Sequence, residues 1–328
     1  MSANAKPKKI GLLTSGGDAP GMNAAIRAVV RTALNYGMKV TGIMRGYDGL
    51  LSGDIIEMHA HSVSDIIHRG GTILRTARCP EMMTEAGLEK GAGICKVLSL
   101  DTLVVIGGDG SFHGALELSK RGVNVVGIPG TIDLDLSCTD YTIGFDTAIN
   151  TAMDAINKIR DTSGSHERCS VVEVMGRHAG YIALWSSLTG GAEEVLIPEN
   201  GEERNSKERV IEQIIENRAL GKRHNLIVVA EGVGGSVSLA KEIEKMTGIE
   251  SRATILGHLQ RGGSPTAVDR MHAAYMGYKA VECIQNGEVN RVVVFKNGRH
   301  ESMDIAEALN YNRPYDDTMY NIVKMLAR

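Results

Sequence analysis

Short, mostly apolar runs rich in Val and Ile recur along this chain at 10–13, 39–44, 103–106, 125–128, 170–174, 194–197, 226–229 and 292–295, separated by longer stretches with helical periodicity. Runs of this kind offer no polar face to water. They belong in a sheet covered on both sides, and their alternation with helices predicts βαβ units around mostly parallel strands. The clearest helix is expected over 206–220, where Val210/Ile214 and Ile211/Ile215 repeat at i,i+4 and Gly221 supplies the stop; a second is expected over 147–160. At roughly 150 residues per domain, 328 residues correspond to about two domains. The chain has only seven prolines, no low-complexity tract and no internal repeat, so the boundary must fall inside a loop. The Gly-rich, acidic loop after Pro129 is the natural candidate. Composition does not decide whether the last strands return to the first domain.

Charge narrows the partners. Thirty-six Lys and Arg against 39 Asp and Glu give a net charge of -3, so no global positive field draws in a nucleic acid, and a phosphate ligand must be held by local clusters. Aromatic residues are 4% of the chain while Gly reaches 39, which shifts attention from stacking platforms to turns where backbone approaches a ligand. The five cysteines, Cys79, Cys95, Cys138, Cys169 and Cys283, are odd in number and widely spaced, as expected in a reducing cytoplasm. The apolar run 10–13 is too short for a signal peptide, and no run of about 18 apolar residues is present to span a membrane.

Three loops that follow strands carry the candidate chemistry, because open parallel sheets place ligands there. Ser15-Gly16-Gly17-Asp18-Ala19-Pro20-Gly21 lacks the G-x-G-x-x-G spacing. It reads either as a tight strand-to-helix turn or as a helix N-terminus whose N–H groups meet a phosphate. In Gly107-Gly108-Asp109-Gly110-Ser111 an acid sits among glycines. Asp109 is either a helix cap or a group facing phosphate through an intervening Mg²⁺. Pro129-Gly130-Thr131-Ile132-Asp133-Leu134-Asp135 sets two carboxylates two residues apart, on one face if the segment is extended. It is an acidic turn, or a base beside a metal ligand. Arg168, Arg177, Arg252 and Arg261, with His258, add guanidinium forks suited to a sugar phosphate. From the residues alone these loops point to Mg²⁺-dependent phosphoryl transfer to a phosphorylated metabolite.

Five segments in order resemble the ATP-dependent bacterial 6-phosphofructokinase family over essentially the whole chain: Thr14 to Asn23, Gly107 to Ser111, Pro129 to Asp133, Val174-Met175-Gly176-Arg177, and Gly257-His258-Leu259-Gln260-Arg261-Gly262-Gly263-Ser264-Pro265. The resemblance implies two doubly wound, Rossmann-like α/β domains with the active site in the cleft between them. An ATP-binding domain is expected over 1–144 plus about 260–308, and a fructose 6-phosphate domain over 145–259 plus about 309–328. The implied reaction moves the ATP γ-phosphoryl group to the 1-hydroxyl of fructose 6-phosphate, in glycolysis. Asp133 would be the base, and Arg177 and Thr131 would stabilise the transferring group. Gly16, Gly17, Arg78, Cys79, Gly108, Asp109, Gly110 and Ser111 would bind ATP, with Asp109 and Asp135 on Mg²⁺. Thr131, Asp133, Asp135, Met175, Gly176, Arg177 and Glu231 would meet the sugar, and His258 and Arg261 its 6-phosphate. Arg168 and Arg252 would come from a neighbouring subunit, which implies a homotetramer with shared active sites.

The same resemblance places ADP or phosphoenolpyruvate, as effector, at Arg27, Arg31, Arg160, Glu193 and Lys222. Asp54 stands where the family has an arginine, and a carboxylate facing a phosphate predicts weakened or altered effector control. Leu134 replaces the Asn of the family's Asp-Asn-Asp, and Leu74-Arg75-Thr76-Ala77 and Cys79 also depart from its pattern, with no aromatic left to stack adenine. Pyrophosphate-dependent relatives carry Asp at the place of Gly110 and Lys at that of Gly130, so the two glycines favour ATP. The alternatives are a pyrophosphate-dependent enzyme of the same fold, a non-catalytic sugar-phosphate-binding subunit, which the intact Asp133, Asp109 and Arg177 oppose, and a lipid or NAD kinase sharing the Gly-Gly-Asp-Gly loop.

Overall fold

The computed structural model of the chain describes residues 8–327. Eleven strands are present among them: β1 (Lys9–Thr14), β2 (Lys39–Ile43), β3 (Ile55–Met58), β4 (Thr102–Gly107), β5 (Val125–Pro129), β6 (Cys169–Val174), β7 (Glu194–Leu196), β8 (Asn225–Ala230), β9 (Ser251–Ile255), β10 (Arg291–Lys296) and β11 (Arg299–Asp304). They are divided between two compact units. The first comprises Met1–Ile132, Leu136–Asp146 and Arg261–Arg313, and the second Asp133–Asp135, Thr147–Gln260 and Pro314–Arg328. The first crossing between units thus falls inside the loop that follows Pro129.

The first unit holds a seven-stranded sheet in the order β11-β10-β5-β4-β1-β2-β3. Its central strands are parallel and its two edges, β3 against β2 and β11 against β10, are antiparallel. Every residue of β4 and β5 is buried, as the continuous apolar runs require. β10 pairs in parallel with β5, so the C-terminal strands do return to the first sheet. The second unit holds four parallel strands in the order β7-β8-β6-β9. Its core, around Val171, Leu196, Ile227 and Val229, is closed on one side by Val210, Ile211 and Ile214 of the helix Lys207–Ala219.

That helix starts where Ser206 Oγ accepts the Arg209 N–H at 3.4 Å and stops before Gly221, whose φ is +87°. Ile215 departs from the expected stripe and is 53% exposed. The second expected helix is longer than its apolar period indicates, running over Phe145–His166. The three strands without an apolar run in the sequence, β3, β9 and β11, all lie at sheet edges. An edge strand buries less of itself and needs no such run. No helix among the described residues is long and apolar enough to cross a membrane.

Candidate active site

In the first unit the loops after β1 and β4 are built against each other. Ser15 N–H donates to the Ile106 carbonyl at 2.9 Å, and the buried Tyr47 hydroxyl donates to the Ser111 carbonyl at 2.6 Å. Gly107 is obligatory here, because a Cβ on it would lie 2.6 Å from both the Ser15 carbonyl oxygen and Ser111 Oγ. Thr76 Oγ1 donates to the Gly16 carbonyl at 2.7 Å, tying in the segment that leads to the exposed Arg78 and half-buried Cys79. Arg261 donates from Nη1 to the Asp18 carbonyl at 3.2 Å and lies across Gly17, where a Cβ would come within 2.5 Å of the same nitrogen. Gly108 precedes the helix Asp109–Ser119, so Asp109, Gly110 and Ser111 form its first turn at the positive end of the helix dipole, with the Ser111 N–H donated back to the Gly108 carbonyl at 3.0 Å. The Asp109 carboxylate is partly exposed, 3.5 Å from His113 Nε2. No atom lies within 4 Å of where a Gly110 Cβ would stand, whereas a Cβ on Gly130 would meet Ile106 Cγ2 at 2.9 Å.

The loop with the paired acids differs from its expected form. Leu134 has φ +54°, so the segment is not extended, and the spacing of Asp133 and Asp135 does not by itself align them on one face. A left-handed Leu costs roughly 1–2 kcal/mol, which the surrounding structure must hold in place. Thr131 and Asp133 are buried, with Asp133 only 5% exposed, and Asp135 is half-buried.

In the second unit β6 delivers Met175, Gly176 and Arg177. Gln260 Oε1 accepts the Met175 N–H at 2.8 Å, and Glu231 Oε1 accepts those of Gly176 and Arg177 at 3.2 and 2.7 Å. Arg177 is itself left-handed, with φ +56°, and its side chain is exposed. Glu231, just after β8, therefore braces the turn with one oxygen. The exposed His258 and half-buried Arg261 share the short 3₁₀ helix Gly257–Arg261.

Arg168 and Arg252 lie elsewhere. Arg168 immediately precedes β6 and Arg252 pairs with Ser170 near the start of β9, at the end of the sheet opposite Met175 to Arg177. Six residues of strand separate the two ends by roughly 20 Å. Both guanidiniums bind one carboxylate, Glu250, at 2.7 and 2.8 Å, and Arg168 first, then Arg252, holds that carboxyl below its ordinary range.

Of the expected effector residues, Arg27 and Arg31 lie one turn apart on the helix Met22–Asn35 of the first unit. In the second unit Arg160 donates to the Gly190 carbonyl, Glu193 Oε2 accepts the Leu226 N–H at 2.6 Å, and Lys222 lies 3.8 Å from Glu193 Oε1 while donating to the Ala327 carbonyl. Asp54 is ion-paired with Arg45 at 2.7 Å.

Residues 9–284 match the family model described as Phosphofructokinase. The chain belongs to the phosphofructokinase family. It is 62% identical to the ATP-dependent 6-phosphofructokinase of Clostridium botulinum strain Hall over 98% of its own length and all of that protein, and 59% identical to the protein of the same name from Clostridium acetobutylicum over the same shares. The phosphofructokinase structure from Saccharomyces cerevisiae superposes with TM-score 0.85 at 33% identity, covering 98% of this chain and 48% of the yeast one, so this chain spans about half of the yeast length. A pyrophosphate-dependent phosphofructokinase from Marinobacter aquaeolei matches in fold, with TM-score 0.83 at 22% identity, over 98% of this chain and 91% of that one.

Two braces of the Arg177 turn, Gln260 and Glu199, stand outside the residues expected from the sequence. Gln260 lies in the Gly257-His258-Leu259-Gln260-Arg261 segment, where a fully buried amide between two basic residues is the available signal. Glu199, which accepts the Gly180 N–H at 2.8 Å, carries no local signal, because its partner lies in a different segment of the second unit.

Proposed function

We propose that the chain is an ATP-dependent 6-phosphofructokinase, which transfers the γ-phosphoryl group of ATP to the 1-hydroxyl of fructose 6-phosphate and releases ADP and fructose 1,6-bisphosphate. The observation that carries this reading is the placement of Asp109, Asp133, Arg177 and Glu231 on loops leaving the C-terminal ends of β4, β5, β6 and β8, where parallel sheets bind ligands. Met1–Ile132 with Leu136–Asp146 and Arg261–Arg313 forms the ATP-binding part, and the second unit the sugar-phosphate part.

Asp133 takes the proton of the attacking hydroxyl, and its burial keeps water from competing for the base. Arg177 and Thr131 stabilise charge on the phosphoryl group in flight. The N–H groups at Gly16, Gly17, Asp109 and Gly110 receive the ATP phosphates, with Gly108 and the Ser111 hydroxyl beside them and Arg78 and Cys79 beside the nucleotide. The open space at Gly110 leaves room for nucleotide, which favours ATP over pyrophosphate. Met175, Gly176 and the second oxygen of Glu231 grip the sugar, and His258 and Arg261 its 6-phosphate.

Mg²⁺ of a bound nucleotide is usually held by one or two carboxylates plus phosphates and water, and the partly exposed Asp109, with Asp135, fits that donor set. When bound, it would neutralise phosphate charge. Arg168 and Arg252 lie too far from Arg177 along their own sheet to share its ligand, which supports their service to a neighbouring subunit in a homotetramer. The enzyme works in the cytoplasm, and Asp54, committed to Arg45, leaves ADP or phosphoenolpyruvate a weakened hold on Arg27, Arg31, Arg160, Glu193 and Lys222.

The test is fructose 1,6-bisphosphate formation by the purified protein with fructose 6-phosphate and Mg²⁺, with ATP or pyrophosphate as donor. Turnover with ATP alone is expected. Turnover with pyrophosphate would overturn the donor assignment, and none with either would leave a sugar-phosphate-binding protein.

A further inference from the structure

The backbone that presents Arg177 is held by side chains from three separate segments of the second unit. Between Met175 and Gly180, Gln260 takes the first N–H, Glu231 the next two, the Gly176 carbonyl takes that of Ala179 at 2.9 Å, and Glu199 Oε1 takes that of Gly180 at 2.8 Å. Glu199 secures the far end of a turn whose middle residue is left-handed and otherwise ready to relax. Its 3₁₀ turn, Pro198–Asn200, and the Arg177 backbone close on Gly232 together. A Cβ on Gly232 would lie 2.5 Å from the Arg177 carbonyl oxygen and 2.8 Å from Pro198 Cγ. Glu199 Oε2 is buried without a hydrogen-bond partner, as is the nearby Tyr315 hydroxyl. A carboxylate this poorly solvated is costly, so its position calls for a purpose. Gly180 leaves no slack, because a Cβ there would be 2.6 Å from Glu199 Oε2 and 2.5 Å from Ile197 Cβ.

We propose that Glu199 is a positioning residue for phosphoryl transfer: by fixing the Gly180 end of the turn it sets where the Arg177 guanidinium stands. This rests on the role given to Arg177 above. Glu199 acts through the backbone it holds, so its loss is expected in kcat and not in the KM for fructose 6-phosphate.

Glu199→Ala should lower kcat about 10- to 100-fold, the scale of a displacement of about 1 Å at a reacting centre. Glu199→Gln, which keeps a carbonyl acceptor for Gly180, should recover at least tenfold of a hundredfold loss. In an Arg177→Ala background, Glu199→Ala should cost less than about twofold more, since the group it positions is gone. An unchanged kcat in Glu199→Ala, an equal loss in both backgrounds, or a Glu199→Gln as poor as the alanine would each overturn the proposal. If the alanine variant does not fold, Glu199→Asp makes the same comparisons, because it keeps the charge but falls one methylene short of Gly180. Arg177→Ala alone separates the two failures. Normal kcat there removes the role of Arg177 and the proposal with it, whereas a crippled Arg177→Ala beside a normal Glu199→Ala removes only the proposal.

Discussion

Leu134 sits between the two loop carboxylates in a backbone conformation that Asn adopts several times more readily than a bulky apolar residue. Leu134→Asn should therefore relieve strain and stabilise the protein by about 1 kcal/mol. Thermal unfolding checks this: a rise in midpoint of about 2–4 °C is expected. Asp133→Ser keeps the loop but removes the base, so kcat should fall by several orders of magnitude while the KM for fructose 6-phosphate stays within a few fold. An unchanged rate would take Asp133 out of the base role. The identities of both acids were legible in the sequence because residue type and spacing are local. The left-handed backbone between them was not, since neighbours far along the chain impose it.

At the scale of elements, the loops after β1 and β4 meet at Gly107 with no room for a methyl group. Gly107→Ala must push backbone apart at Ser15, and the expected result is an ATP KM raised at least tenfold with the fold retained by circular dichroism. A second element contact carries a pH dependence. His272, on the helix Ala267–Asn286, is 5% exposed, stacks on Tyr141 at 3.9 Å and places Nδ1 3.0 Å from His300 Nε2 of β11, with Phe295 against its edge and Asp146 within its field. Burial first, then His300, lowers its pKa from 6.5 to about 4. The unfolded chain takes up this proton near pH 6.5 and the native one only near pH 4, so stability is full above that window and is lost as pH falls through it. The loss is on the order of 3 kcal/mol. Replacing His272 with Leu should flatten the acid limb of a urea-midpoint profile between pH 7 and 4.5. The inner strands of both sheets could be read from their apolar runs. Three of the four edges could not, because β3, β9 and β11 bury too little to need a pattern, whereas the fourth edge, β7, is fully buried and shows one.

For the whole molecule, Arg168 and Arg252 stand at the sheet end opposite Arg177, and the proposed service of both to a neighbouring copy of the chain makes a prediction. Refolding Asp133→Ser together with Arg252→Ala, each inactive alone, should recover part of the parental activity by pairing an intact base with an intact arginine. Absence of any recovery would place Arg252 outside the shared site. What the sequence by itself determined was the fold class, the strand-and-loop frame and the residues bearing the chemistry, because buried runs, Gly-rich turns and paired acids are properties of short stretches. The tertiary structure alone decided the pairing of β10 with β5, the binding of Arg168 by Glu250, and the bracing of the Arg177 turn by Gln260, Glu231 and Glu199. Each of these joins groups from separate segments, and such contacts are set by how the chain packs rather than by any local pattern.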